Sequence, residues 1–387
     1  MKRGKHLFSI SILLIFITGS LLLFPGCGQK AEKVAASVKV YKIGAILPLT
    51  GTQSYFGEES KEGIELAEKE LKTGLKEKGI ELKMIYEDSA NDPAQTAVAA
   101  NKLVNADIKY IISLFPMSPV VNSIVQTRND VLHLAATMSP DTVIPRKTMR
   151  IYPSQSEEAR KMIDFMKSIG AKRVAVFHLR IKDHEAVAAQ IKAGLEKAGV
   201  QLITETMEFT DADAKAQMQK IKNFKPDLLM LILLPDFHYR VFKAINEIGG
   251  LPKNTRIIGN ISFLYPTKET PREWLENVCF LAPKAFIGGL NLPGKFQEDF
   301  KSEFKKDPTI VSTFLYINMK ILGKALLNGK TSSQDIIDFL TTTKRFNTVA
   351  GEIEILPDGD CTLPLGYGVI KDGKRLAFTL EQPQPKD

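Results

Sequence analysis

Hydrophobic and polar positions along this chain follow two alternating rhythms. Short runs that are apolar at most positions recur at "VYKIGAIL", "ELKMIYED", "KYIISLF", "VLHLAA", "RVAVFHL", "DLLMLILL", "RIIGN" and "NVCFLA". Several have no polar face, which predicts strands buried on both sides, as in parallel sheets covered by helices. Between them the rhythm turns helical. Ile64, Ala67, Leu71 and Leu75 form one stripe among lysines and glutamates, the pattern of a helix with one solvated face. Asp92-Pro93 and Ser118-Pro119 read as helix starts, since a short polar side chain accepts from the first-turn N–H groups and proline needs no partner there. Gly249-Gly250 before Pro252 reads as a helix stop. This alternation predicts an α/β chain of doubly wound parallel-sheet lobes. The last segment, "GEIEILPDGDCTLPLGYGVIKDGKRLAFTL", switches to alternation punctuated by Asp-Gly pairs, which predicts β-hairpins. Asp358-Gly359-Asp360 lacks the further spaced ligands and closing glutamate of a calcium loop, so it reads as a turn.

Length and composition bound this picture. At roughly 100–200 residues per domain, the 387 residues suit two lobes, and a charged fraction of 25% with 44% hydrophobic residues is ordinary globular composition. Residues 1–26 stand apart. Lys2, Arg3 and Lys5 precede an apolar run from Leu7 to Phe24, and "FPGC" follows. A basic start, an apolar stretch and a small residue before a cut predict an export signal, with an uncleaved anchor helix as the alternative. Residues 27–38 then read as a tether. Removing the signal takes away those three basic residues and no acid, so the net charge falls from +8 to +5. Lysine and glutamate are intermixed and no basic block is interleaved with aromatics, so nothing points to nucleic acid. Cys279 and Cys361 are left beside Cys27. An exported protein can pair them, and two buried thiols are an equal reading.

Motifs for chemistry are missing. No G-x-G-x-x-G follows a strand. "NGKT" at Asn328 to Thr331 has Lys324 where a phosphate loop needs glycine. There is no G-x-S-x-G elbow. His184-Glu185 lacks a second histidine four residues on. His133, His178, His184 and His238 lie on or just after predicted strands. Ligands of open α/β sheets sit beyond the carboxyl ends of strands, so polar contacts in a cleft suit these histidines better than a metal site, which needs several to converge. An enzyme lacks its nucleophile here, and neither cofactor nor metal is expected.

The end of the first segment resembles a bacterial lipoprotein signal, with Gly26-Cys27 at the cut. The resemblance implies that Cys27 carries lipid and anchors the chain to a membrane without spanning it. "YKIGAILPLTGTQSYFGEESKEGIELAEKEL", "YEDSANDPAQTAVAANKLV", "YIISLFPMSPV" and "VLHLAATMSPD" together resemble the type I periplasmic solute-binding proteins, and more narrowly the branched-chain amino-acid-binding group that feeds ABC importers. The likeness runs from about Tyr41 to Val369. It implies two lobes joined by three crossovers, with residues 39–154 and 285–368 in the first and 155–284 and 369–387 in the second. A ligand cleft lies between them and closes about a hinge.

The resemblance also implies a site. In amino-acid binders the first lobe holds a carboxylate with hydroxyls and backbone N–H groups at strand ends, where helix N-termini favour anions. The matching loops hold Phe115, Met117 and Ser118, then Ala136 and Thr137. Ser118 reads first as a helix cap, a role that can coexist with ligand contact. Tyr55 and Phe56 match the aromatic cover, or pack as a staple. The second lobe departs from the group. Asp183-His184 stands where a tyrosine-glycine pair is usual, and Asn260, Ile261, Ser262 and Phe263 stand where an acid is usual. A buried ammonium needs partners, which Asp183 or Asp236 would supply. Alternatively "ISFLY" and "PDFHY" wall a carboxylate with an aliphatic or aromatic body, with His178 or Arg180 nearby. The expected protein is an extracytoplasmic monomer that hands a small carboxylate-bearing ligand to a membrane permease. A sensor that signals to a membrane receptor shares every one of these features.

Overall fold

A computed structural model describes residues 38–265 and 270–380. The segment read as an export signal, Cys27 and residues 28–37 of the expected tether lie outside them. The first lobe opens with β1 (Lys39–Leu47), α1 (Ser54–Glu77), β2 (Ile80–Asp88), α2 (Pro93–Asn105), β3 (Tyr110–Leu114), α3 (Ser118–Val125), β4 (Leu132–Ala136) and β5 (Thr148–Arg150). The second lobe holds α4 (Gln155–Ser168), β6 (Arg173–Leu179), α5 (Lys182–Lys197), β7 (Gln201–Met207), α6 (Lys215–Phe224), β8 (Leu228–Ile232), α7 (His238–Glu247), β9 (Arg256–Gly259) and β10 (Cys279–Pro283). The chain then supplies α8 (Gly294–Phe304), α9 (Ile310–Leu327), α10 (Ser333–Thr343), β11 (Arg345–Thr348), β12 (Gly351–Ile355) and β13 (Cys361–Thr362). It ends in β14 (Leu365–Lys371) and β15 (Lys374–Phe378).

Among the described residues the first sheet is parallel with order β2-β1-β3-β4-β5. The second has order β15-β14-β10-β9-β8-β6-β7, parallel from β7 to β10 and antiparallel at β14 and β15. A small antiparallel sheet, β11-β12-β13, packs with the first lobe. The chain therefore passes between the lobes after β5, after β10 and after β13.

Sequence expectations meet this fold at most points. Each apolar run forms a strand, and Ile64, Ala67, Leu71 and Leu75 all face the core. Asp92 caps α2, accepting from Gln95 N at 2.8 Å, with Pro93 at the first helical position. Two strands lacked a clear signal: β5 is three residues long, and the edge strand β7 is polar and half exposed. The second lobe takes its sixth strand from Leu365, not from residue 369, because Leu365 to Gly368 already pair with Pro283 to Phe280. The Asp358-Gly359 turn is a turn, joining β12 to β13. Cys279 and Cys361 are free, buried thiols in different sheets.

The most apolar helix, α9, is long enough to cross a membrane by composition, but 83% of it is buried. It is the core of the first lobe. Its contact with α1 is made at Gly63, where a Cβ would stand 2.0 Å from the Ser312 carbonyl oxygen. Only glycine lets the helix backbones approach this closely.

Candidate functional site

The first wall of the cleft is built on the ends of β1, β3 and β4. After Leu47 the chain turns through Pro48-Leu49-Thr50-Gly51, with Gly51 at φ +85°. Asp88, at the end of β2, holds this turn. Its Oδ1 accepts from Leu49 N at 2.8 Å and Ala90 N at 2.7 Å, and Thr50 Oγ1 donates to Oδ2 at 2.6 Å. These bonds keep the Asp88 carboxyl below the usual carboxylate range. Gly57 lets α1 press on the same turn, since a Cβ there would meet the Pro48 carbonyl oxygen at 2.1 Å. The helix start so fixed brings Phe56 against Phe115 at 5.4 Å and Tyr265 at 5.6 Å, both edge-on. Phe115 in turn meets Tyr152 at 5.4 Å. Edge-on rings at these separations are favourable contacts as well as buried area.

Behind those rings the polar groups satisfy one another. Ser113 Oγ donates to Ser118 Oγ at 2.8 Å and lies 2.7 Å from His133 Nε2, and His133 Nδ1 lies 3.2 Å from Asn122 Oδ1. Ser118 is thus the first residue inside α3, after Met117, and caps nothing. Thr137 is fully buried, and its Oγ1 meets Ser139 N at 3.4 Å. Arg150 is fully buried too. It donates from Nε to Asp360 at 2.5 Å, from Nη1 to the carbonyls of Thr137 and Tyr152 at 3.0 and 2.6 Å, and from Nη2 to that of Cys361 at 3.1 Å. One guanidinium so ties the first and third crossovers to the wall.

The second wall comes from α4, α5 and the ends of β8 and β9. Asn260 staples the two strand ends, donating to the Leu233 carbonyl at 3.1 Å. Ser262 donates to Asn260 Oδ1 at 2.6 Å and lies 2.9 Å from His238 Nε2. Phe263 stacks on the His238 ring at 4.0 Å within the lobe's own core. His184, on α5, is buried, and its ring donates to the Ile232 carbonyl. Desolvation holds its pKa down near 3, so it is neutral. Asp183 bonds to Gln155, and burial raises its pKa. Glu158 is fully buried on the inner stripe of α4 with Gln155, Ala159 and Met162. Its Oε1 accepts from Ile261 N at 2.9 Å, and burial pushes its pKa up to about 7.

These walls enclose a cavity of about 80 Å³, partly open to solvent and lined mostly by apolar side chains. Of the residues singled out in the sequence, Phe56, Phe115, Asp183, His184 and Ser262 line it. Met117, Ser118, Ala136, Thr137, His178 and Phe263 sit outside the lining. Tyr55 and Asp236 also stand outside it, close enough that the Asp236 charge raises the Tyr55 phenol, after burial itself. Tyr265, the last residue of "ISFLY", lines it too, whereas sequence reasoning passed over Gln53, Tyr152, Gln155 and Glu158, which also line the cavity. For Glu158 the signal was present: an acid on the apolar stripe of a helix. Among the described residues no group of His, Cys, Asp and Glu could hold a metal.

Comparison with known proteins agrees with this geometry. The family profile of periplasmic binding proteins matches residues 40–367. The leucine-, isoleucine-, valine-, threonine- and alanine-binding protein of Pseudomonas aeruginosa is 26% identical over 384 residues, covering 93% of this chain and 94% of that one. Leu/Ile/Val-binding protein homolog 3 of Brucella melitensis is 28% identical over 187 residues, and the match spans only about half of each chain, 47% and 51%. Among solved structures, a leucine-binding protein of Thermotoga maritima superposes with a TM-score of 0.75 at 22% identity, covering 89% of this chain and 99% of that one. A solute-binding protein of an ABC transporter from Rhodopseudomonas palustris, solved with 3,4-dihydroxybenzoic acid, has a TM-score of 0.71 at 19% identity over 89% and 99%. Such proteins are extracytoplasmic and bind their solute without turning it over. On this fold and this match, the chain belongs to the periplasmic binding protein family.

Proposed function

We propose that this protein is the solute-binding component of an ABC importer, held at the outer face of a membrane by lipid on Cys27, and that it clamps a small carboxylate-bearing ligand for delivery to a permease. The ligand class is an amino acid or an aromatic or aliphatic acid; amino acids and an aromatic acid are the ligands named for proteins similar to it. The observation that carries the reading is the cavity itself, which takes Phe56 and Phe115 from one lobe and Glu158, His184 and Ser262 from the other. A ligand touching both walls binds the closed arrangement better than the open one, and that difference is what a permease can sense.

Thermal denaturation of the mature protein against a panel of amino acids and organic acids tests this. A ligand at about 100 times its Kd should add roughly 2.7 kcal/mol. A panel in which no member moves the midpoint would remove the reading. For the anchor, Cys27→Ser should release the protein from the membrane fraction; a variant that stays membrane-bound would show that Cys27 is not what holds it.

A further inference from the structure

We propose that Glu158 receives a protonated nitrogen of the bound solute, with His184 Nδ1 as a second acceptor in the same cavity, and that this nitrogen rather than a carboxylate is what the cleft requires. The inference rests on the solute-binding reading and narrows its ligand. Glu158 Oε1 is used by Ile261 N, but Oε2 is buried with no partner. A buried carboxylate with half its acceptor capacity unused is costly, and buried charges are generally paired. His184 points to the same chemistry. Its ring donates to the Ile232 carbonyl, and its Nδ1 is buried with no partner. A neutral imidazole that donates from one nitrogen presents a lone pair on the other. Both atoms are therefore acceptors, and both residues line the cavity, as does Tyr265, whose hydroxyl is also buried with no partner and can donate or accept.

An ammonium group, with three donors and no acceptor, matches two waiting acceptors; a carboxylate matches neither. The charge balance agrees. Glu158 and Asp183 line the cavity, and among the described residues no lysine or arginine does. Arg150 is occupied by Asp360 and backbone carbonyls. A nitrogen-free acid would add a third carboxyl where no side-chain cation faces it. Burial alone pushes Glu158 up to about 7, and a cation in contact would favour its ionised form again. The remaining lining, Phe56, Phe115, Val187 and Leu233 among it, suits an aliphatic or aromatic body.

The test uses two matched sets of probes on the mature protein. The first is L-leucine, isoamylamine and 4-methylpentanoate; the second is L-phenylalanine, phenethylamine and 3-phenylpropanoate. Within each set the second member lacks the carboxylate and the third lacks the nitrogen. Calorimetry should show binding of the nitrogen-bearing members of at least one set, with the nitrogen-free acid at least tenfold weaker. Glu158→Gln should weaken the nitrogen-bearing members at least tenfold while circular dichroism shows the fold intact. The wild-type comparison decides the matter even if that variant does not fold. Nitrogen-free acids binding as tightly as their amino counterparts would overturn the inference and leave the solute-binding reading standing. Loss confined to Asp183→Asn, with Glu158→Gln unchanged, would overturn the assignment to Glu158. If none of the six probes binds, the inference and the small-carboxylate reading fall together.

Discussion

The two walls of the cleft are built on opposite principles. On the first, the polar groups behind the aromatic rings pair within their own lobe: Ser118 with Ser113, His133 with Ser113 and Asn122, Arg150 with Asp360 and a ring of carbonyls, and the atoms left over there, Asn91 Oδ1 and Thr142 Oγ1, belong to residues outside the cavity lining. What that wall shows the cavity is mostly apolar, with Phe56, Phe115 and Tyr152 among it. On the second, Glu158 and His184 are buried with an atom each left over. The first wall is finished without a ligand, and the second is not. A finished wall supplies shape, whereas unpaired buried polar atoms cost stability that a matching ligand can restore.

The largest effect that would sharpen this contrast is at Arg150. Arg150→Met should take the cation from the Asp360 carboxylate and one donor from each of four carbonyls, those of Thr137, Tyr152, Pro153 and Cys361. Removing one partner of a buried ion pair typically costs about 3–5 kcal/mol. Urea denaturation should show a loss of that size; a loss under about 1 kcal/mol would mean the first wall does not depend on its internal partners.

On the second wall the sign reverses. The Glu158 carboxyl is raised from 4.5 to about 7 in the fold. The unfolded chain therefore ionises it first, and stability is lost as pH rises from about 4.5 through about 7. The shift corresponds to a penalty of up to about 3 kcal/mol above pH 7. Without ligand, Glu158→Gln should be more stable than wild type at pH 8 by up to that amount, and nearly equal to it at pH 4.5. His133, His184 and His238, all held near 3 by burial, destabilise both proteins alike below pH 6.5, so the difference between the two isolates Glu158. A variant less stable at pH 8 would mean that this wall, too, is satisfied.

The sequence made one wall far easier to read than the other. Strand-end loops such as "ILPLTG" are local: their turn residues and the helix start after them lie within a dozen positions. Asp88, which pins that turn, is also where a parallel strand should end. The fold was legible for the same reason, since parallel strands buried on both faces leave continuous apolar runs. Leu365 was misplaced because strand pairing across a crossover has no local signature. The second wall assembles from residues far apart in sequence, such as Glu158 with Ile261, 103 positions away. A family pattern for that wall pointed to residues 183 and 260–263, and part of it, Phe263, turned out to be core. Glu158 and Gln155 sit where a helix is expected to bury apolar groups, so an acid there was the only trace of the site.

A third and smaller effect tests how the first wall is positioned. Gly57→Ala puts a methyl 2.1 Å from the Pro48 carbonyl oxygen, where a backbone atom cannot yield as a flexible side chain can. Overpacking of this kind costs about 1–3 kcal/mol. The Gln53 and Phe56 side chains should move with the helix start, so affinity should fall along with thermal stability. Retained affinity would mean that the turn held by Asp88 does not set the position of Phe56.

The smallest effect bears hardest on the contrast. Ser118 is fully buried and donor or acceptor only to Ser113 among the described hydrogen bonds. Ser118→Ala should cost about 1 kcal/mol, the typical net value of one hydrogen bond, and leave the affinity for L-leucine or L-phenylalanine unchanged. Family pattern argues the other way, since a hydroxyl in this loop would grip a ligand carboxylate. The two outcomes separate cleanly in one pair of measurements, a denaturation midpoint and a binding isotherm. If affinity falls tenfold while the midpoint holds, the Ser113–Ser118 bond yields to the ligand on closure, and the first wall takes part in recognition after all. If the midpoint falls and affinity holds, the hydroxyl belongs to the network behind Phe115, and the discrimination between solutes rests on the α4 and α5 side of the cleft.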